Sequence, residues 1–273
     1  MTLMQVENLY FEYDNGGFAL KNISVNFGRG EKIAVIGSNG SGKSTFFLNL
    51  NGVLRNHHSH GKIIYDGIEI NKKNLNMLRS KVGIVFQEPD NQLIASTVDS
   101  EVSFGPLNLG LSEEEAEQRV LDALREMNIE ELREKMVHHL SGGQKKRVTI
   151  ADIIAMNPEI IIFDEPTASL DPLNCEMFEE TLKKLDDKNI TVIISTHDID
   201  FVWRWAERVI VFHDGEIIAD STPEQIFMDD DLLKKTHLKK PALLEVCLTL
   251  QEKKIIQNNQ YVRSVFEFKK MFK

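Results

Sequence analysis

Apolar residues in this chain fall into two patterns. Short unbroken runs, rich in β-branched residues, occur at Lys32-Ile33-Ala34-Val35-Ile36, Val82-Gly83-Ile84-Val85-Phe86, Ile160-Ile161-Ile162-Phe163, 191–195 and 208–213. Runs of that length predict strands buried on both faces. Between the later runs the spacing turns helical, over 142–156, 172–187 and 198–206. Strands alternating with helices imply a mostly parallel sheet covered by helices. The beginning of the chain reads differently. Strand-like stretches from Gln5 to Tyr13 and from Ala19 to Phe27 flank the turn Asp14-Asn15-Gly16-Gly17, and Asp66-Gly67 separates Gly61–Tyr65 from Ile68–Ile70. Such turn residues between strands predict hairpins, hence an antiparallel β subdomain. Residues 97–139 read as largely helical, and Ser112 with Glu115 fits a capping box.

Two apolar stripes at helical spacing close the chain. Leu243, Val246, Cys247 and Leu250 form one; Tyr261, Val265, Phe268 and Phe272 form the other, after the polar break Gln257-Asn258-Asn259-Gln260. Stripes of this kind cover a core or face a partner subunit.

The length of 273 residues suits one large α/β domain with a small appendage, and 42% hydrophobic residues supply its core. A net charge of −10 argues against nucleic acid as a partner, which needs a basic footprint. Cys175 and Cys247 are far apart and lack CxxC spacing, so they read as free buried thiols. No run reaches the length of a membrane span, and no charged-then-apolar leader opens the chain, so a cytosolic location is expected.

Chemistry enters at Gly37-Ser38-Asn39-Gly40-Ser41-Gly42-Lys43-Ser44-Thr45, which fits G-x-x-x-x-G-K-[ST]. A predicted strand precedes it and a helix-like segment follows. Loop amides and a helix N-terminus then converge on the phosphates of a nucleoside triphosphate. A second constellation, Asp164-Glu165, ends the apolar run 160–163. Carboxylates at the C-terminal edge of a strand can hold Mg²⁺ and polarise an attacking water. A third, Leu140-Ser141-Gly142-Gly143-Gln144, sets a Ser and two Gly at a helix start, a second phosphate-binding end. One chain has no use for two such ends on one nucleotide.

These residues together resemble the ABC-type ATPases, over residues 3 to about 235. The resemblance implies a RecA-like, mostly parallel α/β core with an antiparallel β subdomain, a helical insert at about 88–156, an ATPase domain over 1–239 and a helical tail over 240–273. It implies ATP and Mg²⁺ as cofactors, and a head-to-tail dimer in which Ser141, Gly142, Gly143 and Gln144 close on ATP held by the other subunit. Tyr13 resembles the aromatic that stacks on adenine, with Tyr10 and Phe11 as alternatives in register. Lys43 and residues 37–45 meet the phosphates; Ser44, Gln87 and Asp164 meet Mg²⁺; Glu165 resembles the residue that activates water. His197 resembles the switch histidine at the γ-phosphate. Ser169-Leu170-Asp171 resembles the loop that crosses the dimer interface.

Phe86-Gln87-Glu88-Pro89-Asp90-Asn91-Gln92, Thr97-Val98 and Phe104 to Leu111, with Lys145-Lys146-Arg147 after the signature, narrow the resemblance. They are similar to the energy-coupling-factor importers, the cobalt-importing CbiO ATPases and their vitamin-importing relatives. The resemblance implies a homodimer or paralogue heterodimer beneath a transmembrane coupling protein and a substrate-binding membrane protein, at the cytoplasmic face of the cell membrane, with no nucleic-acid partner. The tail is expected to add to the dimer contact. A DNA-maintenance ATPase would insert a long coiled coil between Lys43 and Ser141, where no sustained heptads occur. A ribosome-associated relative would carry two cassettes. Asn56-His57-His58-Ser59-His60 reads as a solvated loop rather than a metal site.

Overall fold

The computed structural model describes residues 2–14, 16–54, 60–168, 170–257 and 260–272. The chain opens with β1 (Thr2–Glu12), β2 (Phe18–Gly28), β3 (Lys32–Ile36), α1 (Lys43–Leu50), β4 (His60–Tyr65), β5 (Ile68–Glu69), α2 (Leu75–Lys81) and β6 (Val82–Val85). The middle holds α3 (Val98–Asn108), α4 (Glu113–Glu126), α5 (Gly142–Ala155), β7 (Ile160–Asp164), α6 (Pro172–Asp187) and β8 (Thr191–Ser195). It continues through α7 (Ile199–Trp205), β9 (Arg208–His213), β10 (Glu216–Ser221), α8 (Pro223–Met228), α9 (Asp230–Thr236), α10 (Ala242–Glu252) and α11 (Val265–Met271).

The strands form two sheets: a four-stranded one ordered β2-β1-β4-β5 and a six-stranded one ordered β10-β9-β3-β8-β7-β6. The small sheet is antiparallel throughout; the large one is parallel except for β10. Side chains alternate across a strand, and the large sheet uses both faces. Ile33 and Val35 of β3, Ile160 and Ile162 of β7, and Ile210 and Phe212 of β9 enter one core with the small sheet and with Phe46, Phe47 and Leu50 of α1. Ile161 and Phe163 of β7 face the other way, into a core shared with α3 to α6. Ala34 and Ile36 of β3, with Val209 and Val211 of β9, meet α7 to α10. So helices alone cover only one face; the other carries α1 and a second sheet. The hairpin partner β10 was not foreseen, although Asp214-Gly215 between two apolar runs signals it.

The capping box at Ser112 forms as expected, with the Ser112 hydroxyl accepting from the Glu115 N–H and the Glu115 carboxylate accepting from the Ser112 N–H. The tail departs from its expected faces. On α10 the inward residues are Leu244, Cys247 and Leu248, while Val246 is exposed. Three adjacent apolar residues, Leu243, Leu244 and Val246 around Glu245, left the inward face ambiguous, and packing against α7 to α9 selects Leu244. The second stripe is divided too: Val265 and Phe272 are exposed, while Tyr261 packs inward. Cys175 is half-buried and Cys247 buried, and both are free. Asn15, Asn56 to Ser59, Ser169 and Asn258-Asn259 lie outside the described residues. Among the described residues no helix is long and apolar enough to cross a membrane.

Candidate active site

The loop from Gly37 to Gly42 joins β3 to α1, so α1 begins with Lys43 where the phosphate motif ends. Two glycines are needed for backbone reasons. Gly37 has φ 152°, and a Cβ there would lie 2.3 Å from the Phe212 carbonyl oxygen. Gly42 has φ 106° and would collide with the Ala19 carbonyl at 2.6 Å. A side chain at either place forces the loop off the β9 and β2 edges that shape it.

The loop forms one wall of a 620 Å³ cleft lined by Tyr13, Ala19, Asn39, Gly40, Ser41, Gly42, Lys43, Ser44, Thr45, Gln87, Asp164, Glu165, Ala168 and His197. Residues from five separate parts of the sequence meet there: β3, β8, β7 and β6 are successive parallel strands whose C-terminal ends share one edge, and the β1–β2 region of the small sheet adds Tyr13 and Ala19. Lys43 is buried and donates to the carbonyl oxygens of Gly37 at 2.8 Å and Ser38 at 3.1 Å. Burial lowers its pKa, opposed by the Glu165 and Asp164 carboxylates. Gly37 and Ser38 thus act from behind the cleft wall.

Asp164 and Glu165 are steered by Ser195, which no motif had flagged. The register pairs Asp164 with Ser195 across β7 and β8. The Ser195 hydroxyl donates to Asp164 Oδ1 at 2.5 Å and accepts from the Glu165 N–H at 2.9 Å. Glu165 itself has φ +47°, a sparsely populated conformation for a side-chain-bearing residue. Burial raises its pKa, and the Asp164 charge adds to this; His197 and Lys43 oppose it. Its Oε1 is buried without a hydrogen-bond partner among the described residues, and so is Ser41 Oγ. His197 Nε2 stands 3.2 Å from that Oε1 but off the hydrogen-bonding line. Both atoms belong to residues that line the cleft, where buried polar groups can serve a bound ligand.

The aromatic alternatives separate cleanly. Phe11 is fully buried, Tyr10 packs edge-on against Phe18, and Tyr13 lines the cleft with its hydroxyl 3.0 Å from Thr45 Oγ1. The signature residues lie elsewhere. Ser141 caps α5 by accepting from the Gln144 N–H, and the Gln144 amide oxygen accepts from the Ser141 N–H. Asp171 caps α6 and holds Asn174, whose side chain abuts Gly143. Ser141, Gly142, Gly143, Gln144 and Asp171 are absent from the cleft lining, and Gly143, Leu170 and Asn174 share a shallow pocket of their own.

A phosphate-loop cleft on a mostly parallel sheet, with strand-end carboxylates and a remote second helix N-terminus, defines a P-loop ATPase. The ABC transporter family profile matches residues 20–168. The chain is 45% identical over 255 residues to the energy-coupling factor transporter ATP-binding protein EcfA of Methanocaldococcus jannaschii, spanning 93% of this chain and 91% of that protein. It is 46% identical to EcfA of Methanococcus maripaludis, over 89% of this chain and 87% of that one. Among solved structures it is similar to CbiO1 from Clostridium perfringens, part of the CbiONQ ABC transporter complex, with TM-score 0.75, 40% identity, and 92% and 99% of the two chains covered. It is also similar to a dimeric ATP-binding cassette bound to ADP and Pi, with TM-score 0.72, 32% identity, and 81% and 99% coverage. The chain belongs to the ABC transporter ATPase family and is an ATP-hydrolysing enzyme.

Proposed function

We propose that this chain is the ATP-hydrolysing subunit of an energy-coupling-factor importer. It works as a dimer at the cytoplasmic face of the membrane, beneath a transmembrane coupling protein and a substrate-binding membrane protein. Likeness to two EcfA proteins and to CbiO1 supports the importer class. The observation that carries the dimer is the separation of the Lys43 cleft from Ser141–Gln144 and Asp171. Each protomer then holds ATP in its own cleft and offers its signature to the other.

In this reading Tyr13 stacks on adenine, and Lys43 with the loop amides offsets phosphate charge. Mg²⁺ fits the donor set, since Ser44 supplies a hydroxyl, Gln87 an amide oxygen and Asp164 a carboxylate along one cleft. When bound, it neutralises charge on the β- and γ-phosphates. Glu165 orients water and takes its proton, a role suited by a raised pKa. His197 holds the γ-phosphate with the partner's signature.

Cobalt ion is the proposed cargo, carried by the resemblance of residues 86–111, with nickel ion or a vitamin as the alternative reading. Uptake of each cargo by vesicles holding the membrane partners separates them. The test of the site is Glu165→Gln. It should keep ATP binding, lose about 100-fold or more in steady-state hydrolysis, and accumulate as an ATP-bound dimer on size exclusion. Undiminished hydrolysis removes Glu165 from its role.

A further inference from the structure

The segment from Phe86 to Gln92 follows β6 and carries Gln87 into the cleft. Gln87 and Glu88 are exposed, and the segment's own hydrogen bonds, such as the Asn91 N–H to the Glu88 carbonyl, do not fix it to the body of the protein. Three polar ties fix it to α5. Lys145 pairs with Asp90 at 2.6 Å. The Gln92 amide oxygen accepts from the Phe86 N–H at 3.1 Å, and the same side chain hydrogen-bonds Asp152. Lys146 donates to the Phe86 carbonyl at 2.6 Å and the Gln87 carbonyl at 3.1 Å.

Lys146 differs in kind from the other two ties. It is only 3% exposed, and burial lowers its pKa to about 8. Burying an ammonium group is costly, and an apolar side chain would fill the same space more cheaply. Here the charge serves two main-chain carbonyls, one belonging to Gln87 itself, and the Glu88 and Asp164 carboxylates favour it from nearby. The same helix starts with Ser141–Gln144. A side chain one turn into the signature helix therefore grips the backbone of a cleft residue.

We propose that Lys146 is a positioning residue that sets where Gln87 stands in the ATP cleft. The proposal rests on the role given to Gln87 above. Ground-state nucleotide binding depends mainly on Tyr13 and the phosphate loop, so Lys146 acts on the chemical step. A misplacement of about 1 Å at a catalytic group can cost about 100-fold in rate.

The experiment compares Gln87→Ala, Lys146→Met and the double variant of the full chain, by ATP titration, steady-state hydrolysis and thermal melting. Lys146→Met should lower kcat about 10- to 100-fold with ATP affinity close to wild type. On the Gln87→Ala background it should cost nothing further, because residues acting through one group are not additive. A purely structural lysine would instead lower kcat equally on both backgrounds, and that additivity overturns the proposal. So does a wild-type kcat in Lys146→Met beside an impaired Gln87→Ala. An unimpaired Gln87→Ala overturns the role of Gln87 itself, and the proposal with it. Should Lys146→Met not fold, Lys146→Gln, which keeps a donor, is read by the same criteria.

Discussion

Ser195 shows how a residue without a motif governs two that have one. Its hydroxyl bridges the Asp164 carboxylate and the Glu165 amide, and it is fully buried. Removing that hydroxyl leaves Asp164 free to rotate and the Glu165 N–H short of its closest acceptor. Ser195→Ala should weaken Mg²⁺ activation of hydrolysis about 10- to 100-fold, the usual cost of losing a supporting contact to a metal ligand. A Mg²⁺ titration of initial rates checks this; an unchanged half-saturation removes the bridge from the argument. Tyr13 gives a second residue-scale expectation. Tyr13→Ala should weaken ATP binding about tenfold or more, as loss of aromatic stacking does, while Tyr10→Ala should not, since Tyr10 packs on Phe18 outside the cleft. Fluorescent-nucleotide titration distinguishes them. The phosphate loop and Asp164-Glu165 were legible because each is contiguous in sequence. The contacts of Ser195 and Lys146 were not, because their partners are 31 and 59 to 60 positions away, and only strand register or helix docking brings them together.

Helix α5 carries the second scale. Its N-terminus presents the signature, its first turns grip the Gln87 segment, and farther along Asp152 lines a groove with Phe104, Asn108 and Met156. Burial and the Glu101 carboxylate push Asp152 up to about 7, against the hydrogen bond from Gln92. An unfolded aspartate has its ordinary value near 4. Between about pH 4 and pH 7 the folded chain keeps a proton that the unfolded chain loses, so stability falls as pH rises through that window. The total is on the order of 4 kcal/mol, at about 1.4 kcal/mol per pH unit. Asp152→Asn keeps the shape and removes the titration. Its stability gain in urea unfolding should grow from pH 4 to pH 7 and stay level above; an equal gain at both ends contradicts the assignment. Elements in this region were legible where local rules suffice. The capping box at Ser112 and the strand runs at 160–163 and 191–195 depend only on near neighbours. The inward face of α10 was not, because Leu243, Leu244 and Val246 offer adjacent choices and the docking surface of α7 to α9 decides among them.

At the scale of the molecule, one protomer carries a phosphate-loop cleft and, outside that cleft's lining, a Ser-Gly-Gly helix start. The cleft holds Lys43, Glu165 and His197, while Ser141 and Gly143 stand beside Asn174 and the Asp171 loop. If the catalytic unit is composed across a dimer interface, damage to the two ends must complement. Lys43→Ala should abolish hydrolysis by emptying its own cleft, and Ser141→Arg should abolish it by blocking the partner's. In an equimolar mixture about half the dimers pair one variant with the other, by random association. Each mixed dimer joins the sound cleft of the Ser141→Arg protomer to the sound signature of the Lys43→Ala protomer. The mixture should therefore recover up to about a quarter of the wild-type site activity, whereas neither variant alone recovers any. A site complete within one chain predicts no recovery at any mixing ratio, because every protomer would then carry a defect of its own. Mixing the purified variants and following phosphate release against the ratio of the two distinguishes these outcomes, with the maximum expected at equal amounts.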